Sequence, residues 1–359
     1  MNISKPLSVG LLLLSLQAAA ETPRSAIFLH PDGMGANTWA AVRMHAVGPD
    51  GRLAWDHLPR LAIYVGPMLD SINASSNGGA TTHAYGIRAR LDSFGSLDGK
   101  TAPKALSGKT MSVMHEAKAA GKAIAIVNSS TITEPGTAAF LVSVEDRDND
   151  VEIAALLLKQ APQIMLGGGE QFFLPKGTRG AHGMGVREDG RNLIDEAREA
   201  GYSVVFTREE LLALPADSTR VLGLFAAEHT FNEANEEQLA QQDLPVFQPQ
   251  APRFDQMVEF ALSRLRDAPQ GYLLVGNEEG TDNLSGENNT PAVLEAAAGA
   301  DRAIALAIKE AKANSALTVL VASDSDNGGM NATSDDLDEL PRPLPQRTES
   351  GSLLDSDGG

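Results

Sequence analysis

The sequence predicts an α/β fold, with a mainly parallel central sheet and helices on both of its faces. Three observations lead there. Short apolar runs recur along the chain, separated by stretches of helical periodicity, which is the pattern of strands buried on both faces. The 359 residues, 42% of them hydrophobic, suffice for one large α/β domain or two smaller ones. Several of the apolar runs end in turns that carry Asp, Glu or Asn, as expected where a parallel sheet gathers its functional loops at the strand carboxyl ends.

The elements follow in order. Residues 25–29 form the first apolar run, which ends at Pro31-Asp32-Gly33. Residues 37–45 read as a helix and 61–65 as a strand. A helix at 112–120 precedes a strand at 123–127. A helix at 151–160 leads into Ile164-Met165-Leu166 and then three glycines. Later strands are expected at 203–206, 221–225, 272–275 and 317–322. The last two are preceded by long periodic helices at 254–266 and 292–313. There is no internal repeat.

The flanks differ from this body. Residues 1–20 have a Lys, an apolar run from Leu7 to Leu16, and Ala18-Ala19-Ala20 before Glu21. These are the three parts of a secretory signal peptide, with cleavage expected after Ala20. The run is too short to span a bilayer, so no membrane anchor is expected. The chain has no cysteine, hence no disulfide and no thiolate chemistry. Together these features suggest a periplasmic or secreted bacterial protein. Residues 335–359 are rich in Asp, Pro, Ser and Gly and read as an acidic loop or tail. The α/β domain is therefore placed at 21–334, and the chain is expected to be incomplete at its C-terminus. Net charge is 29 − 47 = −18, which argues against nucleic-acid binding and fits a soluble protein that attracts cations.

The chemistry-bearing residues sit just after the expected strands. They are Asp32, the stretch 128–134 with Glu134, the stretch 277–282 with Glu278, Glu279 and Asp282, and the stretch 323–326 with Asp324. One strand-end Asp is commonly a helix cap, but several converging on one sheet edge look like a metal site. In SSNGGATTHAYG, Ser76 stands at a helix start, where free N–H groups favour an anion. It is either an N-cap or a nucleophile activated by a nearby metal, since no His–Asp pair is evident to deprotonate it. His30 and His83 lie beside these residues, as metal or phosphate contacts or, by the more ordinary reading, as structural donors and acceptors.

The pieces LHPDGMG, SSNGGATTHAYGIRA and VASDSDNGG, in that order, resemble the alkaline phosphatase family. Tyr85-Gly86-Ile87-Arg88 is similar to the family's TGV(K/R) helix ending, and counting back places the family nucleophile on Ser76, with Ser75 where the family often has Asp. The family sets an Arg thirteen residues after an acidic or polar ligand, and 147 − 134 = 13. The resemblance thus makes Glu134 a metal ligand and Arg147 the phosphate clamp, a suitable role for a bidentate guanidinium. APQIMLGGGEQFF, GYSVVFTREEL and VLGLFA also look like family segments.

Departures from the family pattern matter equally. Gly136 falls where the family has a Thr or Ser ligand. The late VGNEEGTDN segment lacks the family's His, and its spacing leaves Glu278 and Glu279 as alternatives beside Asp282. Ser325 stands where a His ligand would follow Asp324, and a third His would lie beyond Gly359. The remaining oxygen set of Asp32, Glu134, Glu278 or Glu279, Asp282 and Asp324 suits Mg, Ca or Mn better than a His-rich zinc pair. The resemblance implies Mg and Zn as cofactors, a phosphate-ester substrate, a phosphoseryl intermediate on Ser76 and a possible homodimer. Alternatives are a phosphodiesterase or sulfatase of the same superfamily, or a metal- or phosphate-binding protein without catalysis.

Overall fold

The computed structural model describes residues 25–97, 101–327 and 329–330. The expected signal peptide at 1–20 and tail at 335–359 lie outside the described residues. Seven strands, β1 (Ser25–Pro31), β2 (Ala123–Thr131), β3 (Ile164–Gly168), β4 (Ser203–Val205), β5 (Val221–Leu224), β6 (Tyr272–Glu278) and β7 (Leu317–Val321), form one sheet in the order β4-β5-β3-β2-β6-β1-β7. Every pairing in it is parallel.

Parallel pairing demands crossovers, and the helices supply them on both faces. Alternate residues of each strand enter two separate cores. Phe28, Ile124, Ile126, Met165 and Leu273 pack on one face, with residues of helices Val113–Ala119 and Asp150–Gln160. Ile27, Leu29, Ala125, Val127, Leu166 and Leu274 pack on the other, with helices Ala36–Ala46, Phe254–Leu265 and Thr290–Ala313. The period of two along each strand accounts for this division. It also explains why the strands read as unbroken apolar runs. No described helix is long and apolar enough to cross a membrane.

One expected strand is absent. Residues 61–65 carry no ladder among the described residues, and Leu61 and Ile63 are each 95% exposed. The run has strand composition, but no neighbouring strand takes its backbone groups, and β propensity expresses itself only through such packing. The segment is tied down just beyond, where Arg88 donates to the carbonyls of Pro67 (3.0 Å) and Met68 (2.7 Å).

The four adjacent strands β2, β6, β1 and β7 all run the same way. Their carboxyl ends therefore bring residues from four distant parts of the chain to one place.

Candidate active site

Asp32 leaves the end of β1 fully buried. Its N–H donates to the Glu278 carbonyl at 3.1 Å, and its own carbonyl accepts from Thr281 Oγ1 at 2.6 Å, so the turn is bound to the end of β6. Gly33 follows with φ +57°, and a Cβ there would lie 2.0 Å from Asp282 Oδ1. Both the left-handed backbone and the close approach of Asp282 require glycine. The Gly33 N–H donates to Asp324 Oδ1 (3.3 Å) and that of Met34 to Ser323 Oγ (2.8 Å). The DGMG turn is thus held from β6 on one side and β7 on the other.

The two serines of SSNGG divide their tasks. Ser75 is the N-cap of helix Ser76–Tyr85, its Oγ accepting from the Gly78 N–H at 3.1 Å. Ser76 is therefore not needed as the cap, and its hydroxyl donates to Asp32 Oδ1 at 3.4 Å. The N–H groups of Ser76 and Asn77, in the first turn, have no intrahelical acceptors and are available to an anion. The helix start seats tightly on Asp324, because a Cβ on Gly79 would stand 2.3 Å from the Asp324 Cβ.

The end of β6 resolves into two directions. Along a strand, side chains alternate in face. Asn277 and Glu279 turn toward Asp32: Asn277 Nδ2 donates to Asp32 Oδ2 at 3.2 Å and to Glu279 Oε2. The intervening Glu278 turns away and accepts from Ser129 Oγ (2.5 Å) and the Gly280 N–H (3.1 Å). Asp32, Glu279 and Asp282 each offer an oxygen, and these oxygens lie within 4.8 Å of one another. His30, Asp32 and Asp324 form a second group within the same limit. Asp32 belongs to both.

Glu134 and Arg147 stand at the mouth. Arg147 Nη2 donates to Glu134 Oε2 at 3.4 Å, and its Nη1 to Asn77 Oδ1, also at 3.4 Å. The guanidinium is thereby held next to the residue that follows Ser76, with 41% of its side chain exposed. Gly136 makes room for Asn277, since a Cβ there would lie 2.4 Å from the Asn277 Cγ. The Asn277 amide thus occupies the space beside Gly136, the position where the family has a Thr or Ser ligand.

A family model described as alkaline phosphatase matches residues 24–340. The chain belongs to the alkaline phosphatase family. The alkaline phosphatase of Gadus morhua is 28% identical over 349 residues, covering 87% of this chain and 71% of the relative. The crystal structure of Thermus thermophilus alkaline phosphatase matches with a TM-score of 0.71 at 27% identity, over 85% of this chain and 60% of that one. This chain therefore spans less than two thirds of the Thermus protein. An alkaline phosphatase variant from the bacterium TAB5, solved with Mg bound, matches in fold with a TM-score of 0.69 at 20% identity, over 86% of this chain and 79% of that one.

The electrostatics of the cluster suit a family that uses divalent ions. Burial, with Asp324, Glu279 and Asp282 close by, pushes Asp32 well above the ordinary carboxylate range. Burial and neighbouring acids do the same to Glu279 and carry Asp282 to about 6. Burial also raises Glu134, against the pull of Arg147 and His229. On Asp324 burial opposes the charge too, yet His30 beside it prevails and holds the carboxyl below its usual value. His83 is held down to about 3, by burial first and by His30 second. Acids packed so closely in a dry site repel one another unless a cation is shared among them. Asp324 Oδ2 and Asn277 Oδ1 are buried acceptors without a hydrogen-bond donor among the described residues, as cation-facing oxygens should be. The donor set fits divalent ions.

Glu278 titrates apart from this cluster. Burial lifts it to about 7, although Ser129 stabilises its charged form. A carboxyl raised in the folded state favours folding at low pH, and that contribution is lost as pH climbs through the folded value. We expect the metal-free protein to lose stability from about pH 4.5 to above 7. Moving one carboxyl from 4.5 to about 7 is worth on the order of 3 kcal/mol. Glu278→Gln removes that share, so urea midpoints at pH 5 and pH 8 should differ less in the variant than in the parent. Equal differences would show that Glu278 ionises as freely as in water.

Sequence reading assigned no role to Asn277 and left His30 between a metal or phosphate contact and a structural donor or acceptor. For His30 the available signal was its position two residues before Asp32, which places both on one face of a strand end.

Proposed function

We propose that this chain is a divalent-metal-dependent phosphomonoesterase that acts through a phosphoseryl intermediate on Ser76. The observation that carries this reading is the joint placement of the uncapped Ser76 hydroxyl on Asp32 and of Arg147 on Asn77. Asp32, Asp324, Asp282, Glu279 and Glu134 are the oxygen ligands in this reading, with Glu279 rather than Glu278 because only Glu279 turns into the cluster. When bound, the ions supply positive charge that lowers the pKa of the Ser76 hydroxyl and offsets charge on the phosphoryl oxygens.

The chain's own groups do the rest. Ser76 donates its O–H toward Asp32, which turns the oxygen's lone pairs away from that carboxylate. The N–H groups of the first helical turn receive phosphoryl oxygens. The exposed Arg147 guanidinium binds two further oxygens and holds phosphorus in line with Ser76 Oγ. Oγ forms the bond to phosphorus as the ester oxygen leaves as alcohol. Water then attacks the phosphoserine, releases inorganic phosphate and restores the hydroxyl. We further propose export of the protein, from the apolar run and small residues of 1–20, which N-terminal sequencing of the mature protein would test.

Hydrolysis of an aryl phosphate monoester, an aryl diester and an aryl sulfate, each with Mg or Zn supplied, tests the substrate class. The monoester is expected to be turned over fastest, at least tenfold above the other two. A faster diester or sulfate assigns the chain to the other chemistry of the superfamily. No turnover of any, with metal bound, leaves a binding protein.

A further inference from the structure

We propose that His30 is itself a metal ligand, completing with Asp32 and Asp324 a mixed nitrogen–oxygen position. It supplies the imidazole that the family pattern would place after Asp324, where this chain has Ser325. The inference rests on the metal-dependent reading above but concerns the ion's ligands and not the turnover.

Four observations carry it. His30 has no exposed surface, and neither ring nitrogen has a hydrogen-bond partner among the described residues. A neutral imidazole has one N–H and one lone pair, and burying either of them unsatisfied is destabilising. Asp324 is the one acid within ion-pair range of this ring among the described residues, and a cation between the two would satisfy both. The ring's Nε2 lies 3.3 Å from Asp324 Oδ1, the acid it faces, and Nδ1 faces no such group among the described residues.

Second, the donor atoms of His30, Asp32 and Asp324 all lie within 4.8 Å of one another. Bonds of about 2.1 Å to a tetrahedral ion set neighbouring donors roughly 3.4 Å apart. The separation of His30 Nε2 from Asp324 Oδ1, 3.3 Å, is already close to that spacing. Third, Ser325 Oγ donates to Asp324 Oδ1 at 3.2 Å, while Asp324 Oδ2 has no donor among the described residues. Ser325 therefore orients the carboxylate and contributes no nitrogen. Fourth, aromatic rings enclose the imidazole: His83 stands edge-on at 5.2 Å and Phe28 is tilted at 5.9 Å. They limit its rotation and keep water from its nitrogens.

The consequence is two positions of different character that share Asp32. The position of Asp32, Glu279 and Asp282 is all oxygen and suits Mg. That of His30, Asp32 and Asp324 contains an imidazole and favours Zn. The sequence-based expectation of an oxygen-only set is revised accordingly.

The test is X-ray absorption of the chelator-stripped chain reloaded with one equivalent of zinc, with calorimetric titration beside it. Imidazole scattering is expected in the parent and in His83→Gln, and is expected to vanish in His30→Gln. The tightest zinc affinity should fall at least about tenfold in His30→Gln. No imidazole scattering in the parent overturns the assignment, whether or not His30→Gln folds. Scattering that persists in folded His30→Gln, or vanishes in His83→Gln, also overturns it and leaves His30 a structural partner of Asp324. None of these readings depends on hydrolysis. An inactive chain with an intact imidazole signal refutes the phosphatase reading alone.

Discussion

Ser76→Ala is expected to lower hydrolysis of an aryl phosphate monoester by at least about 10⁴-fold, with little change in fold or metal content. The size follows from the role proposed for the hydroxyl, which is to form the bond to phosphorus. Ser75 does not substitute, because its Oγ is committed to the Gly78 N–H and it also donates to the Leu91 carbonyl. The fold is spared because Ser76 makes only one long hydrogen bond and Ser75 retains the cap. Steady-state kinetics, with metal content measured on the same samples, check this. A variant that keeps a tenth of the parent rate would show that the nucleophile lies elsewhere.

Asp32→Asn is expected to have the second largest effect, about 10³-fold on turnover, by a different route. Asp32 belongs to both groups of donors proposed to hold metal, so a neutral amide there is expected to weaken both positions. Its effect on stability should reverse with metal. Without metal, the variant loses a buried acid that Asp324, Glu279 and Asp282 all disfavour, so it should unfold at higher denaturant than the parent. With metal at one hundred times the parent's dissociation constant, the parent gains about 2.7 kcal/mol and the variant much less. Urea melts with and without metal therefore cross over in rank. A variant less stable than the parent under both conditions would show that the Asp32 carboxylate is structural first.

The legible part of the fold was the part buried on both faces. Runs such as Ile124–Val127 and Leu273–Val275 have no polar alternation because each face meets its own core. The run at 61–65 has similar composition, yet it lies exposed with no neighbouring strand among the described residues. Composition records the demand for burial and not whether a partner arrives to meet it.

The site divides in the same way. Asp32, Asp324, Asp282 and the Glu134–Arg147 pair were visible because turn residues and fixed spacings mark them along the chain. The choice between Glu278 and Glu279 was not, since adjacent carboxylates look alike until the pleat sends one toward Asp32 and the other toward Ser129. The resemblance placed the nucleophile on Ser76 but left open whether Ser76 was also the cap, and the structure gives the cap to Ser75. Asn277 went unnoticed, and His30 was weighed only as a possible metal or phosphate contact against a structural role, because neither maps to a family ligand. Their proximity to Asp32 comes from pleat and strand pairing, which a linear reading does not display.

The central claim is that Ser76 carries the phosphoryl group. The most direct measurement is peptide mass spectrometry of the metal-loaded protein, quenched in acid during turnover of an aryl phosphate. A phosphoryl adduct on Ser76 that appears with substrate, disappears when substrate is exhausted and is absent from Ser76→Ala is the result predicted. Steady turnover with Ser76 unmodified, or with the adduct on another residue, would contradict it.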